Sequence, residues 1–215
     1  GGGRPPASDW LSRLVAKDAQ KSPPIWAIDR GVNICRALSL PPAHLIGDRD
    51  SAAHDAWAWA EEHGARVHAF PPAKDFTDTE LALRIAAELM PCALVILTGA
   101  FGGRFDHLMS VASVAAHAAL PCILADEREA LFFLHGDESL TITCDSPPQA
   151  ISLLPFTEEC TGITTNGLRW ELSHAQIHTH SSTTISNVLA EGNTEHRFSV
   201  TLGSGILGVY LCHKE

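Results

Sequence analysis

The feature that most constrains the fold of this chain is a change of pattern near residue 126. Before it, short apolar segments alternate with longer segments of helical period, which is typical of parallel strands joined by helices. After it, short apolar segments are separated by Gly, Pro, Asn and Asp, which is typical of an antiparallel sandwich or barrel. The pattern predicts an α/β domain with an open parallel sheet over residues 1–128, followed by an antiparallel β-sandwich domain over residues 129–215.

An open α/β sheet usually has a strand before its first helix. Residues 1–24 are instead rich in Gly, Pro and polar residues, which leaves open that a first strand is missing. The predicted strands of the first half are Ile25–Ile28, His44–Ile46, Arg66–Phe70, Ala93–Thr98 and Cys122–Ala125, and its helices are Val32–Ser39, Ala52–His63, Asp78–Met90 and Phe105–Ala119. The predicted strands of the second half are Ala130–Leu134, Leu140–Cys144, Ala150–Pro155, Gly167–Leu172, Arg197–Leu202 and Gly205–Cys212.

Charge and composition exclude several classes of function. The formal net charge is −10, which argues against a protein that coats nucleic acid or binds a membrane through clustered Lys and Arg. The apolar segments are shorter than the roughly 18 residues of a membrane span. Six cysteines without a C-x-x-C pair predict reduced thiols, and so a soluble cytoplasmic protein.

The first candidate site follows the predicted strand His44–Ile46 directly. Gly47 allows a tight bend there, and Asp48 and Asp50 are two residues apart. Open α/β sheets bind ligands just beyond the carboxyl ends of their strands, and carboxylates in such a place can share a hard divalent cation such as Mg²⁺. The alternative is a turn followed by a helix N-cap, in which Asp and Ser are also favoured.

The second candidate site, Lys74-Asp75-Phe76-Thr77-Asp78, lies between the third predicted strand and its helix. Thr77 and Glu80 have the spacing of a capping box, which predicts that Thr77 is the N-cap. Asp78 would then lie in the first helical turn, where the helix dipole stabilises an anion. Lys74 would either meet a phosphate or be solvated.

The third candidate site is a glycine loop that leads from the most apolar strand into a helix. The loop contains Gly99, Gly102 and Gly103, whose lack of side chains leaves backbone N–H groups accessible to an anion at a helix N-terminus. Arg104 adds a planar guanidinium that suits phosphate oxygens. The spacing fits neither G-x-G-x-x-G nor G-x-x-x-x-G-K-[ST]. The alternative is a glycine turn with a helix cap.

Four motifs, in this order and spacing, resemble the thiamin pyrophosphokinase family. They read D-x-G-x-N from Asp29, G-D-x-D-S from Gly47, K-D-x-T-D from Lys74 and G-x-x-G-G-R-x-D-H from Gly99. In the second half, Gly167–Leu172 resembles the family's G-L-x-W-x-L segment, and Ile185-Ser186-Asn187 resembles the end of its S-T-S-N segment. The resemblance covers the chain from Ile25 to the C-terminus.

This resemblance implies ATP-dependent transfer of a diphosphate to thiamin with release of AMP, by a homodimer with composite active sites at the subunit interface. It implies that Asp48, Asp50 and Asp78 hold Mg²⁺ and, with Arg104, form the catalytic group. It implies that the thiamin side contains Trp170, Ser186 and Asn187. The implied ATP-binding residues are Asp29, Asn33, Ser51, Lys74, Asp75, Thr77, Gly99, Gly102, Gly103, Arg104, Asp106 and His107.

The chain departs from the family pattern at three of these motifs. Arg30 stands where the family has a glycine, Arg49 replaces a phenylalanine, and Ile185 replaces the Thr of S-T-S-N. Arg30 either changes the local turn or approaches a phosphate. Two other functions remain open: diphosphate transfer to another alcohol, such as a hydroxymethyl pterin, and nucleotide sensing without turnover.

Overall fold

The computed structural model describes residues 3–16, 22–47, 53–70 and 75–213. The chain divides into two units, Gly1–Pro121 and Cys122–Glu215. The predicted domain boundary, between residues 128 and 129, lies C-terminal to this division.

Helices and strands alternate along the first unit after an initial helix. Within the described part of the chain, no helix combines the length and apolar character needed to cross a membrane. The helices of this unit are α1 (Ser8–Ala16), α2 (Gly31–Ala37), α3 (His54–Glu62), α4 (Asp78–Leu89) and α5 (Phe105–Ala116), and its strands are β1 (Trp26–Ile28), β2 (His44–Gly47), β3 (Arg66–Ala69) and β4 (Val95–Leu97).

Strands β1, β2 and β3 form a parallel sheet in that order, with Ile28 opposite Ile46 and Gly47 opposite Ala69. One face of this sheet packs against α2 and α3, and the burial of apolar side chains between them stabilises the unit. Because the strands are parallel, their carboxyl ends share one edge, where ligands of such sheets bind. The buried residues of this core are Ala27, Val32, Cys35, Leu45, Ala56, Trp57 and Ala60.

Helix α4 begins as the sequence predicts but buries a different side. The backbone N–H of Glu80 donates to Oγ1 of Thr77 at 3.2 Å, so Thr77 is the N-cap. Leu81, Ile85 and Leu89 recur at four-residue steps in the sequence, which predicts that they form the buried face of this helix. For Leu89 this prediction is wrong, because its side chain is exposed. The smaller Ala82 and Ala86 are buried instead, together with Leu83.

Three aromatic rings form a row across the sheet, one from each strand. Trp26 stacks on His44 with centroids 4.0 Å apart, and His44 stacks on His68 at 5.1 Å. Burial lowers the pKa of His44 below its usual range, and the charges of His68 and Arg66 lower it further. Burial and Arg66 likewise lower the pKa of His68. Nδ1 of His44 and Nε2 of His68 are 2.9 Å apart, so at least one ring must be neutral for the hydrogen bond between them.

We expect acid to destabilise this unit through these two histidines. Their folded pKa values are lowered, so the unfolded chain binds more protons, and stability falls as the pH drops below the unfolded value of about 6.5. The measurement is the urea midpoint of the protein and of a His44→Gln/His68→Gln variant between pH 7.5 and 5. The midpoint of the variant should fall less over this range, and equal falls would contradict the expectation.

The second unit consists of short strands. Its strands are β5 (Cys122–Ala125), β6 (Glu129–His135), β7 (Ser139–Thr143), β8 (Ala150–Pro155), β9 (Glu159–Asn166), β10 (Ala175–His178), β11 (Arg197–Thr201) and β12 (Ile206–Cys212). They pair antiparallel in the orders β10-β9-β11-β7 and β5-β6-β12-β8. Both sets contribute buried side chains to one core, which includes Ile151, Ile163, Phe198, Val200 and Leu207. The predicted fold, an α/β domain with an open parallel sheet followed by an antiparallel β-sandwich, is confirmed.

Several elements differ from the sequence predictions. Helix α1 lies within residues 1–24, for which the sequence predicts no helix or strand. Its half-buried Trp10, Leu11 and Leu14 alternate with exposed polar residues. Strand β9 has no counterpart among the predicted strands. The predicted strand Gly167–Leu172 is an irregular segment, because Gly167 has φ +87° and leaves the extended conformation.

Candidate active site

The carboxyl end of β1 approaches that of β2 without an intervening side chain. Asp29, directly after β1, has φ +47°, and its backbone N–H donates to the carbonyl of Ile46 at 2.9 Å. Gly47 ends β2 with φ +146°, and a Cβ at this position would overlap Oδ1 of Asp29. The glycine therefore lets the Asp29 carboxylate lie against the backbone that leads into Asp48.

Four predicted site residues, Asp48, Asp50, Ser51 and Lys74, lie outside the described residues. Their assignment to Mg²⁺ and ATP stays a prediction. Two described residues of the same motifs, Asp29 and Asp78, have carboxylate side chains, the ligand type that Mg²⁺ prefers.

The start of α2 contains Arg30 and Asn33, two residues of the D-x-G-x-N motif, and shows what each does locally. Arg30 is the N-cap of α2 with φ −60° and ψ −10°, a conformation open to any residue, so the turn here does not need the family's glycine. Oδ1 of Asn33 accepts a hydrogen bond from the backbone N–H of Ala53 at 3.2 Å. Asn33 thus ties α2 to the start of α3.

Residues before and within the first turn of α4 form the second candidate site. Asp75 is exposed, Thr77 caps the helix, and Asp78 is half-buried at its first position. The carboxylate of Asp78 is placed where the helix dipole favours negative charge.

The glycine loop after β4 has the backbone that its sequence predicts. Gly99 and Gly102 have φ of +71° and +69°, a region that favours glycine. A Cβ on Gly102 would lie 3.1 Å from Nη1 of Arg4, and the backbone N–H of Arg4 donates to Phe101 at 2.5 Å. Arg4 therefore adds a second guanidinium at this loop. The sequence does not indicate this place of Arg4, because a lone basic residue among glycines and prolines has no recognisable motif spacing.

Arg104 is the N-cap of α5, and its side chain is engaged by Asp106. Nε of Arg104 donates to Oδ1 of Asp106 at 3.1 Å, and Nη2 donates to Oδ2 at 2.5 Å. The same Oδ1 accepts the backbone N–H of His107 at 3.0 Å. The hydrogen bonds from Arg104 lower the pKa of Asp106 to about 2, with the His107 amide contributing. Both side chains are exposed, so Arg104 could exchange this carboxylate for a phosphate.

The second unit has a small pocket at the predicted thiamin side. Its volume is about 110 Å³, well below the roughly 300–1,000 Å³ of pockets that enclose a drug-sized ligand. One aromatic ring could enter it. Glu171 is the one ionisable residue in its lining; the remaining lining residues are Ile151, Leu153, Leu168, Trp170, Leu172, Thr183, Thr184, Ile185 and Asn187.

Trp170 gives this pocket an accessible aromatic surface. Its side chain is 58% exposed, so it is not a residue of the sandwich core. The guanidinium of Arg169 lies 5.1 Å from the ring centroid, so the indole already accepts a cation. Ser186 is exposed, has φ +62° and lies outside the pocket lining, while its backbone N–H donates to Oγ of Ser152 at 3.0 Å.

The structure groups the predicted residues by unit. In the first unit, Asp29 and Gly47 meet at the sheet edge, whereas Asp78 and the glycine loop begin helices. In the second, Trp170 and Asn187 are joined by hydrogen bonds. Glu171 is not indicated by the sequence motif, because G-L-x-W-x-L leaves its position unspecified.

Comparison with known proteins settles the family. The model of the thiamin pyrophosphokinase catalytic domain matches residues 15–123, and the model of the thiamin pyrophosphokinase vitamin B1 binding domain matches residues 139–207. The chain belongs to the thiamin pyrophosphokinase family. The resemblance drawn from the sequence motifs is thereby confirmed.

Relatives of the family match over most of their length. A thiamine pyrophosphokinase of Bacillus subtilis (strain 168) is 27% identical over 179 residues, which cover 81% of this chain and 83% of the relative. A crystal structure of thiamine pyrophosphokinase from Bacillus subtilis matches 100% of this chain and 97% of its own, with TM-score 0.80 and 23% identity. A crystal structure of thiamin pyrophosphokinase from Geobacillus thermodenitrificans matches 100% of this chain and 96% of its own, with TM-score 0.76 and 25% identity.

Proposed function

We propose that this protein transfers the diphosphate of ATP to thiamin, which gives thiamin diphosphate and AMP. The observation that carries the proposal is that one chain contains both the catalytic and the vitamin B1 binding domains of the family. The first unit has a glycine loop of the type that binds anions, and the second has an accessible tryptophan. Both agree with ATP binding by the first unit and thiamin binding by the second.

The first unit would bind Mg²⁺ and ATP. Asp48, Asp50 and Asp78 would hold the metal, which when bound offsets the triphosphate charge and polarises its oxygens. The amides of Gly102 and Gly103 would cradle phosphate oxygens, with Arg104 as a bidentate partner once it leaves Asp106. The other residues on the nucleotide side would be Asp29, Asn33, Ser51, Lys74, Asp75, Thr77, Gly99, Asp106 and His107.

The reaction joins the hydroxyl oxygen of thiamin to the β-phosphorus of ATP and breaks the bond from that phosphorus to the oxygen of the α-phosphate. AMP leaves with that oxygen, and the hydroxyl proton passes to an aspartate or to water. Such a transfer needs an in-line approach and charge neutralisation more than covalent catalysis, so positioning and electrostatics dominate. Arg104 and the loop amides would hold the transferring group in this alignment.

The second unit would bind thiamin, with Trp170, Ser186 and Asn187 on that side. Thiamin is a cation with two aromatic rings, which suits an indole surface beside a carboxylate. Glu171 supplies that carboxylate, held by a hydrogen bond from the backbone N–H of Gly167 at 2.9 Å. A neutral pterin alcohol would gain less from it.

We further propose a homodimer in which each active site combines the first unit of one subunit with the second unit of the other. The pocket at Trp170 is too small to enclose thiamin alone. Phe105 and Met109, one turn apart on α5, are 75% and 52% exposed, and such apolar residues are suited to an interface.

Mixing two variants that each have little activity at low thiamin tests the shared site. In a mixed dimer of Asp48→Asn and Trp170→Ala subunits, one site carries both changes and the other carries neither. Random mixing gives half mixed dimers, so activity at low thiamin should recover to about one quarter of the unmodified level. Mixed dimers that form but stay as inactive as the parents, or an active monomer, would contradict this arrangement.

The proposed function itself is tested by AMP release. The purified protein is given ATP and Mg²⁺ with thiamin, with a hydroxymethyl pterin or with no acceptor. We expect AMP and thiamin diphosphate in equal amounts in the first reaction only. Release with the pterin would favour the other alcohol as substrate, and tight ATP binding without release in any reaction would favour a nucleotide sensor.

A further inference from the structure

The side chain of Asn187 is committed to the backbone of Trp170. Its Oδ1 accepts the backbone N–H of Trp170 at 3.2 Å, and its Nδ2 donates to the carbonyl of Trp170 at 2.8 Å. Oδ1 also accepts the backbone N–H of Val188 at 2.9 Å. An amide oxygen has two acceptor positions, so both are used, and one of the two N–H groups is used as well.

Asn187 is itself fixed to the sheet. Its backbone N–H and carbonyl each form a 2.8 Å hydrogen bond with Ile151, in strand β8. Ser186 precedes it with φ +62°, and the backbone N–H of Arg169 donates to Val188 at 2.8 Å. The Asn187 amide therefore connects the irregular segment that carries Trp170 to an ordered strand.

Only an amide fits this arrangement. The backbone of Trp170 presents one donor and one acceptor, and Asn offers the complementary pair on one short side chain. Asp would keep the acceptor but place a carboxylate oxygen against the carbonyl of Trp170, and Ala would offer neither group.

From this geometry we infer that Asn187 is a positioning residue, which acts on the alcohol substrate through the Trp170 ring and not through its own contact with it. This inference rests on the proposed function. It assigns the Asn187 side chain a role different from direct thiamin binding, because little of its hydrogen-bonding capacity remains.

A double-mutant cycle separates the two roles. Trp170→Ala removes the ring but keeps the backbone groups that Asn187 holds. Asn187→Ala should raise the thiamin KM about tenfold in the unmodified chain and less than about twofold in the Trp170→Ala chain. The ATP KM should change less than twofold in either. An increase that is equally large in both chains would overturn the positioning role.

Incorporated 5-fluorotryptophan gives a readout independent of turnover. The ¹⁹F resonance that disappears in Trp170→Ala belongs to Trp170, and it should shift or broaden in Asn187→Ala. Asn187→Asp, which keeps the shape, provides a second variant if Asn187→Ala does not fold. Gln176→Ala is the matched control, because the Gln176 side-chain amide donates to Oε2 of Glu159 at 2.6 Å and not to the Trp170 backbone. An unchanged Trp170 resonance in both Asn187 variants would overturn the inference.

Failure of the proposed function has a different signature. It would appear in the unmodified protein, as no AMP release that depends on thiamin. Failure of the inference alone would leave that release intact and show additive effects in the cycle.

Discussion

Replacement of Asp48 or Asp50 by Asn should lower kcat by about a thousandfold or more while the fold persists. Each change removes one negative charge and one anionic oxygen ligand from the segment that directly follows β2. A divalent cation held there would offset the repulsion between these carboxylates and an ATP triphosphate. The measurements are AMP formation and the thermal unfolding midpoint.

Glu88→Gln is the matched control for these variants. This substitution also converts a carboxylate to an amide in the first unit, but Glu88 lies on the exposed side of α4. It should keep full turnover. Unchanged activity of Asp48→Asn and Asp50→Asn in limiting Mg²⁺ would contradict the metal assignment.

Gly47→Ala should reduce turnover about a hundredfold and lower stability by about 1–3 kcal/mol. The new methyl group would occupy the position of the Asp29 carboxylate, so Asp29 must move or the end of β2 must shift. The first movement displaces a predicted ATP-binding residue, and the second displaces the strand end that leads into Asp48. Steady-state kinetics and urea unfolding measure the two effects separately.

Gly64→Ala separates backbone strain from displacement. Gly64 also has a left-handed φ, +87°, but a Cβ there meets open space. Gly64→Ala should lower the free energy of unfolding by about 1 kcal/mol and leave turnover unchanged. If Gly47→Ala and Gly64→Ala lose stability alike and both stay active, the contact with Asp29 is unimportant for catalysis.

The pattern of apolar residues predicted most strands of both units, because strand residues alternate or are buried over a short length. Cys122–Ala125 and Ala150–Pro155 have the predicted bounds. The pattern failed where a segment is held by groups distant in sequence. Gly167–Leu172 has the composition of a strand, but side chains bind its backbone: Glu171 at Gly167, and Asn187 at Trp170. The spacing of apolar residues alone does not reveal such hydrogen bonds.

The candidate site was predicted where local sequence determines local structure. Thr77 caps α4 as its spacing indicates, and the glycine loop adopts the left-handed φ values that only glycine favours. The sequence could not show that Arg104 is paired with Asp106, since the side-chain conformation that joins them is one of many. It could not show the approach of Arg4 to Gly102, which depends on distant parts of the chain meeting.

The Arg104–Asp106 pair has a consequence for how fast an anion arrives. Because the two exposed charges cancel, Arg104 contributes a dipole at long range and adds no net positive charge to the free loop. Electrostatic steering, which raises association rates and weakens with salt, then gains little from Arg104. Association of a triphosphate should accordingly be no faster for the presence of Arg104, which acts after contact, when the guanidinium changes partners.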